Sequence, residues 1–201
     1  MKNFFATGLL LFVALVATQA QYEVGDVAGD FTLKNVDGEM ISLYDYDEAR
    51  NGAIVIFTCN HCPYAKAYED RIIKLDKKFR NVGYPVVAIN PNDPELAPED
   101  SYEKMIERSK EKDFPFPYLF DNTQEVYRMY GATRTPHVYL LEKKDDKFRV
   151  AYIGTIDDNY KDASQVEKKY LENAVVALME GEEPNPAVTK AIGCTIKDKK
   201  Q

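Results

Sequence analysis

Hydrophobic and polar residues alternate in two short segments near the start of the chain. Phe31 and Leu33 alternate with polar neighbours. The alternation returns at Ile41 and Leu43, after an Asp-Gly pair. A period of two on both sides of an Asp-Gly pair is typical of a β-hairpin. We therefore predict an antiparallel hairpin over residues 31–43.

Farther along, continuous apolar runs alternate with segments of helical periodicity. The run AIVIF is β-branched and apolar throughout, as in strands buried on both faces of a sheet. After it, apolar residues recur every three or four positions, which indicates a helix. An α/β domain with a central mixed sheet explains this alternation. The predicted strands are residues 53–57, 85–90, 118–120, 137–142 and 148–154, and the predicted helices are 62–79, 98–112, 123–130 and 163–179.

Residues 1–20 have a different pattern from the rest of the chain. Lys2 precedes an apolar run of about fourteen residues, shorter than the roughly eighteen of a membrane-spanning helix. Small residues before Ala20 complete the pattern of a secretory signal peptide, with an uncleaved membrane anchor as the alternative. We expect a signal peptide over 1–20, the α/β domain over 21–181 and a C-terminal tail over 182–201. The mature protein is then exported, to the periplasm or the medium.

The charge of the chain excludes one class of partner. The formal net charge is −7, so no basic surplus exists to neutralise phosphates. We expect no nucleic-acid partner, and no membrane span once the signal segment is removed.

The segment FTCNHCPYAK holds two of the three cysteines, Cys59 and Cys62, with His61 between them. Three readings are open: a redox dithiol, part of a metal site, or a structural disulfide. A disulfide across so short a loop would remove little entropy from the unfolded chain, which argues against a structural role. Exported cysteines also meet an oxidising environment, where a close pair forms a disulfide unless something keeps it reduced.

The position of this motif favours a reactive thiol. It lies between a predicted buried strand and a predicted helix, whose unpaired N–H groups and dipole favour a thiolate. We expect Cys59 to be the exposed, attacking thiol and Cys62 to lie behind it. We expect His61 to tune the Cys59 thiolate, the alternative being a polar residue at the surface.

The chain also resembles a known group. FTCNHCPY after a buried strand is similar to the CxxC junction of the thioredoxin superfamily. The segments VGDVAGDFTLKNVDGEMISLYDY, FPYLFDNTQEVYRMYGATRTPHVYLLE and KAIGCTIK resemble peroxiredoxin-like redoxins of the alkyl hydroperoxide reductase and thiol-specific antioxidant group. The resemblance implies a thioredoxin-like three-layer fold and a thiol–disulfide oxidoreductase in which Cys59 and Cys62 are catalytic. It also implies a cis bond before Pro136 and substrate binding by the backbone of Thr135.

One departure from that group concerns peroxidase activity. Peroxidases of the group carry PxxxTxxC, but alignment on Cys62 places Cys59 at the threonine and Val55 at the proline. Arg134 is not a secure counterpart of the arginine that activates peroxide. We therefore expect a weak thiol peroxidase or antioxidant activity at most.

Two further questions stay open. Cys59, Cys62 and His137 together could instead bind copper or zinc in an exported carrier protein, because thiolates and imidazole suit both metals. The third cysteine, Cys194, is a buried structural thiol, a relay thiol or an intermolecular bridge.

For the oxidoreductase we expect no cofactor or metal. We expect its partners to be protein or small-molecule thiols and disulfides, together with an unidentified redox partner.

Overall fold

The computed structural model describes residues 21–199, so the predicted signal peptide lies outside the described residues. Within that range, none of the helices combines the length and the apolar character needed to cross a membrane. The chain forms a mixed α/β structure around one large sheet, and the expected fold class is confirmed.

The large sheet has seven strands in the order β2-β1-β5-β4-β3-β7-β8. In its centre β3 runs parallel to β4, and β4 runs parallel to β5. The neighbours β1 and β7 are antiparallel to this group, and a separate two-stranded sheet pairs β6 with β9. The strands are β1 Thr32–Asn35, β2 Met40–Ser42, β3 Gly52–Phe57, β4 Val86–Asn90, β5 Tyr118–Phe120, β6 Arg134–Thr135, β7 His137–Lys144, β8 Lys147–Gly154 and β9 Cys194–Thr195.

The helices cover the sheet on both faces. They are α1 Pro63–Phe79, α2 Tyr102–Lys112, α3 Glu125–Tyr130 and α4 Tyr170–Met179, with short 3-10 turns at Arg80–Val82, Pro98–Asp100 and Ala163–Gln165. The predicted hairpin is confirmed as β1 and β2, and each other predicted strand has its counterpart.

The last helix is shorter than predicted. Residues 163–165 form a 3-10 turn and α4 begins only at Tyr170. The backbone between them bonds to the loop after β8 instead: the Glu167 N–H donates to the Asp158 carboxylate, and the Lys168 carbonyl accepts from the Asp158 N–H. These tertiary bonds replace the helical ones that the residue pattern predicts.

The alternation of side chains along β3 divides the core between the two faces of the sheet. Ala53, Val55 and Phe57 join the apolar cluster that includes α3 and the N-terminal hairpin. Ile54 and Ile56 join the cluster on the other face, which includes residues of α1, α2 and α4. All five are fully buried, so the end of β3 is held rigidly from both sides.

The topology also brings three loops to one edge of the sheet. Parallel strands end on the same side, so the segments that follow β3 and β4 meet there. Because β7 is antiparallel to β3, its first residue, His137, pairs with the last residue of β3, Phe57. The loop before β7 therefore lies beside the segment after β3.

Candidate active site

The two cysteines of the CxxC motif occupy the junction between β3 and α1. Cys59 follows β3 by two residues, and Cys62 is the N-cap residue of α1, with Pro63 in the first turn. The prediction that Cys59 is exposed is wrong: its exposed fraction is 3%, and that of Cys62 is 0%. The reason is tertiary packing, since both pack with Ala65, Tyr64 and Cys194.

The peptide bond between Thr135 and Pro136 is cis, as the resemblance implied. Thr135 is fully buried and lies against both sulfurs. The Cys59 thiol donates a hydrogen bond of 3.2 Å to the Thr135 hydroxyl, and Cys62 Sγ lies 3.2 Å from the Thr135 carbonyl oxygen. The cis-proline loop therefore faces the CxxC motif in the predicted arrangement.

In this structure Cys62 is bonded to Cys194, and Cys59 is a free thiol. The Cys62 and Cys194 Cα atoms are 6.1 Å apart although the residues are separated by 132 positions in sequence. Of the three possibilities for Cys194, neither a free structural thiol nor an intermolecular bridge describes this state, because its sulfur is bonded within the chain. The physical reason is the docking of the tail as β9 against β6, which pairs Cys194 with Thr135. Cycling between Cys59 and Cys62 stays a prediction.

Asp100 is the buried acid of the site. Its exposed fraction is 0%, and it lies in the 3-10 turn after β4. One carboxylate oxygen accepts from the Asn60 N–H at 2.7 Å and the His61 N–H at 3.2 Å. The other lies 2.5 Å from His61 Nδ1 and accepts from the Asn92 amide at 2.7 Å. Asp100 therefore holds both the loop between the cysteines and the ring of His61.

Asp100 is a site residue that no local motif in the sequence singles out, although the strand order points to it. The segment after β4 had to meet the segment after β3, because consecutive parallel strands end at the same edge. The buried Glu69 also lies near the motif, but its carboxylate is paired with Arg108 in a bidentate ion pair, at 2.9 and 2.6 Å.

Burial decides the protonation state of Cys59 in this tail-bonded state. The pKa of the Cys59 thiol is raised to about 12, first because the thiol is removed from water and second because of the negative charge of Asp100. The hydrogen bond with Thr135 and the N–H groups of Cys62 and His61 lower the pKa, but by less. The expected thiolate is therefore wrong for this state, because desolvation outweighs the stabilisation by the start of the helix.

The two histidines differ in their distance from the cysteines. His61 lies close to the Cys59 sulfur, whereas His137 is too far from the cysteines to bind a metal ion together with them. Cys59, His61 and Asp100 form a group whose potential ligand atoms lie within 4.8 Å of one another. Among residues 21–199, no such group contains Cys62 or His137. The Nδ1 atom of His137 instead accepts from the Thr133 N–H at 3.3 Å, and burial lowers the pKa of His137 to about 4.

The proline, the threonine and the arginine that the resembling peroxidases use to activate peroxide have no counterparts at the corresponding positions of this site. Val55 lies inside β3 and is fully buried. The Arg134 guanidinium donates to the Gly193 carbonyl at 3.1 Å, so it contacts the tail. The threonine position of the PxxxTxxC motif is occupied by Cys59, so the threonine hydroxyl is missing there.

Comparison with known proteins places this site in a family. The sequence model of the AhpC/TSA family matches residues 24–153. The chain belongs to the AhpC/TSA family. The expected thioredoxin-superfamily redoxin and oxidoreductase class are thereby confirmed.

Three similar proteins put this membership in context. A solved structure of an uncharacterized conserved protein from Geobacillus kaustophilus is 35% identical, with a TM-score of 0.82, over 90% of this chain and 95% of that one. The thiol-disulfide oxidoreductase ResA of Halalkalibacterium halodurans is 23% identical over 145 residues, which are 72% of this chain and 77% of ResA. The peroxidoxin BcpB from Mycobacterium tuberculosis shares the fold, with 17% identity and a TM-score of 0.55 over 69% of this chain and 88% of that one.

Proposed function

We propose that the protein is an exported thiol–disulfide oxidoreductase that works through Cys59 and Cys62, with Cys194 as a relay. The observation that carries the proposal is the free thiol of Cys59 packed beside a disulfide of Cys62, opposite a cis proline. Its substrates are disulfides or thiols of proteins or small molecules.

In the proposed cycle the reduced enzyme uses Cys59 first. The Cys59 thiolate attacks a substrate disulfide, one substrate sulfur leaves as a thiolate, and a mixed disulfide forms. Cys62 then attacks the Cys59 sulfur, which releases the second substrate thiolate and leaves a Cys59–Cys62 disulfide. The substrate has gained two electrons and the enzyme has lost two.

Cys194 then moves the disulfide away from Cys59. Its thiolate attacks the Cys62 sulfur, the Cys59–Cys62 bond breaks, and Cys59 leaves as a thiolate that takes up a proton. The Cys62–Cys194 disulfide with a free Cys59 is the state found in this structure. The step changes no overall oxidation state, and a partner dithiol would later reduce the tail disulfide.

The protonated Cys59 needs a base before it can attack. His61 supports this role, since one of its ring nitrogens lies within 4.8 Å of the Cys59 sulfur and Asp100 orients the ring. A histidine held in a fixed position beside a thiol is a common general base in enzymes. Asp100 acts through His61, so we assign it as a positioning residue.

Single cysteine variants test the proposal. Cys59→Ser should abolish reduction of a small disulfide-bonded protein such as insulin, because the attacking sulfur is gone. Cys62→Ser should accumulate a mixed disulfide on Cys59, visible by mass spectrometry of acid-quenched samples. Tyr64→Phe, which alters a neighbouring residue without removing a sulfur, is the matched control. Wild-type turnover by both cysteine variants would refute the mechanism.

Export is a separate part of the proposal and rests on residues 1–20. Expression of the full chain with its own N-terminus in a bacterial host should yield a product that begins at Gln21 in the exported fraction. Mass spectrometry of that fraction distinguishes cleavage from an uncleaved anchor.

A further inference from the structure

The C-terminal segment, residues 193–199, binds to the fold as an extended peptide would. Its strand β9 pairs antiparallel with β6, with Cys194 opposite Thr135 and Thr195 opposite Arg134. Thr135 is the residue before the cis proline, where the resemblance places a substrate backbone. The chain's own tail therefore occupies the predicted substrate edge.

Most contacts of this segment use its backbone. The Lys197 carbonyl accepts from the Asp93 N–H and the Gln124 amide, both at 2.9 Å, and the Lys197 N–H donates to the Asn92 side chain at 2.7 Å. The Lys199 N–H donates to the Gln124 side chain at 2.8 Å. Backbone contacts of this kind bind an extended segment of almost any sequence.

Two positions of the tail do depend on side-chain size. A Cβ atom on Gly193 would lie 2.2 Å from the Thr135 carbonyl oxygen, so only glycine permits this approach to the cis-proline loop. The Ile196 side chain is 7% exposed and joins the apolar cluster that contains Tyr127 and Ala132. By contrast, Thr195 between them is exposed to solvent.

We infer that this groove, bounded by β6, residues 91–93 and Gln124, recognises an extended segment of a partner protein with the pattern Gly-Cys-x-Ile. The cysteine of that segment takes the place of Cys194 on Cys62. A glycine precedes it because the Thr135 carbonyl leaves no room for a side chain, and an aliphatic residue two positions later enters the Ile196 site. This inference names the partner class for the proposed dithiol chemistry and rests on that proposed function.

The exchange itself balances without a further reactant. The partner thiolate attacks the Cys62 sulfur, the Cys62–Cys194 bond breaks, and Cys194 leaves as a thiolate. One disulfide replaces another, so no net oxidation occurs. The tail is then free to leave the groove that the partner segment enters.

Four peptides test the pattern on the full chain with Cys59→Ser and Cys194→Ser, which leaves Cys62 as the reactive sulfur. The first peptide, Ala-Ile-Gly-Cys-Thr-Ile-Lys, copies residues 191–197. The second has valine for the glycine, the third has aspartate for the second isoleucine, and the fourth has valine for the exposed threonine as the matched control. Each carries 2-nitro-5-thiobenzoate on its cysteine, and attack by Cys62 releases the coloured thiolate.

We expect the second and third peptides to react roughly tenfold more slowly than the first, which corresponds to the usual cost of a steric clash or a misplaced polar group. The fourth should react at nearly the rate of the first. The remaining tail competes equally with all four peptides, so the ratios are unaffected by it. Equal rates for all four would overturn the inference, even if the enzyme turns over its disulfide substrates normally.

A second measurement uses chains that keep all three cysteines. Gly193→Val should weaken the Cys62–Cys194 disulfide against glutathione by roughly tenfold, since it disturbs the approach to Thr135. Ile192→Val, at a position that is 43% exposed, is the matched control and should leave the equilibrium unchanged. If Gly193→Val also left it unchanged, the close approach at Thr135 would impose no selection and the inference would fail. If the wild type did not reduce insulin at all, the proposed function would be refuted. The ratios of the peptide rates would not be affected by that result.

Discussion

The two sides of Thr135 are held in different ways. On one side Cys59 and Asp100 lie in loops that follow buried central strands, and Asp100 is fully buried with four donors around its carboxylate. On the other side the tail lies at the surface, where Thr195 and Lys199 are exposed. One covalent bond, to Cys62, joins the two sides.

The fold fixes the positions of Cys59 and Asp100, whereas reduction of the disulfide can change the position of the tail. The thiol side cannot move without disturbing β3 and β4, whereas the tail side can detach once its disulfide is reduced. The tail bonds mainly through its backbone, so water or another extended chain can replace those contacts. We therefore expect changes on the tail side to depend on the reducing agent and changes on the thiol side to be independent of it.

The largest effect should come from the covalent bond between the sides. Cys194→Ser should lower the free energy of unfolding by about 4 kcal/mol, because the disulfide closes a long loop and restricts the unfolded chain. Urea unfolding of the oxidised proteins measures the difference. The same experiment with reducing agent is the control, and there the two proteins should unfold alike. Equal stability without reducing agent would show that the tail disulfide does not form in solution.

On β7, the strand that follows Thr135 and the cis proline, His137 should make stability depend on pH. Burial lowers the pKa of His137 to about 4, from an ordinary value of 6.5, so the folded chain keeps the ring neutral where the unfolded chain binds a proton. Its contribution is fully present above about pH 6.5 and is lost as the pH falls towards 4, by roughly 3 kcal/mol in total.

Comparison of His137→Gln with the wild type isolates this contribution. The variant should lose less unfolding free energy than the wild type between pH 6.5 and pH 4, and urea unfolding at steps across that range measures both. Reducing agent should not change the difference between them. Parallel pH profiles for the two proteins would contradict the assignment.

Of the three predicted effects, that of substituting Asp100 should be the smallest. It should change the rate of catalysis and not the stability of the fold. Asp100→Asn should slow insulin reduction by roughly 30-fold, because the amide orients His61 less well than the carboxylate does. Glu99→Gln is the matched control, since Glu99 contacts Asn60 through its backbone carbonyl. Combined with His61→Ala, the Asp100 change should cause no further loss. Additive losses would show that Asp100 acts by some route other than His61.

Local patterns predicted much of the molecule because their causes are local. The hairpin over β1 and β2, the apolar strand β3 and the start of α1 at Pro63 each follow from periodicity or turn chemistry within a few residues. The α4 prediction was wrong at its start, because residues 167 and 168 bond to Asp158 instead of to a helical turn.

The sequence by itself determined the chemistry: two sulfurs and an imidazole at a strand-to-helix junction. That a Thr-Pro pair faces them was implied by the family resemblance, and the contacts of Thr135 with both sulfurs come from the fold. Tertiary structure alone decided the surroundings of that chemistry. Burial left Cys59 protonated, parallel strands brought Asp100 to His61, and pairing of β9 with β6 brought Cys194 to Cys62. Desolvation and contacts between distant segments depend on how the whole chain packs, so no local pattern encodes them.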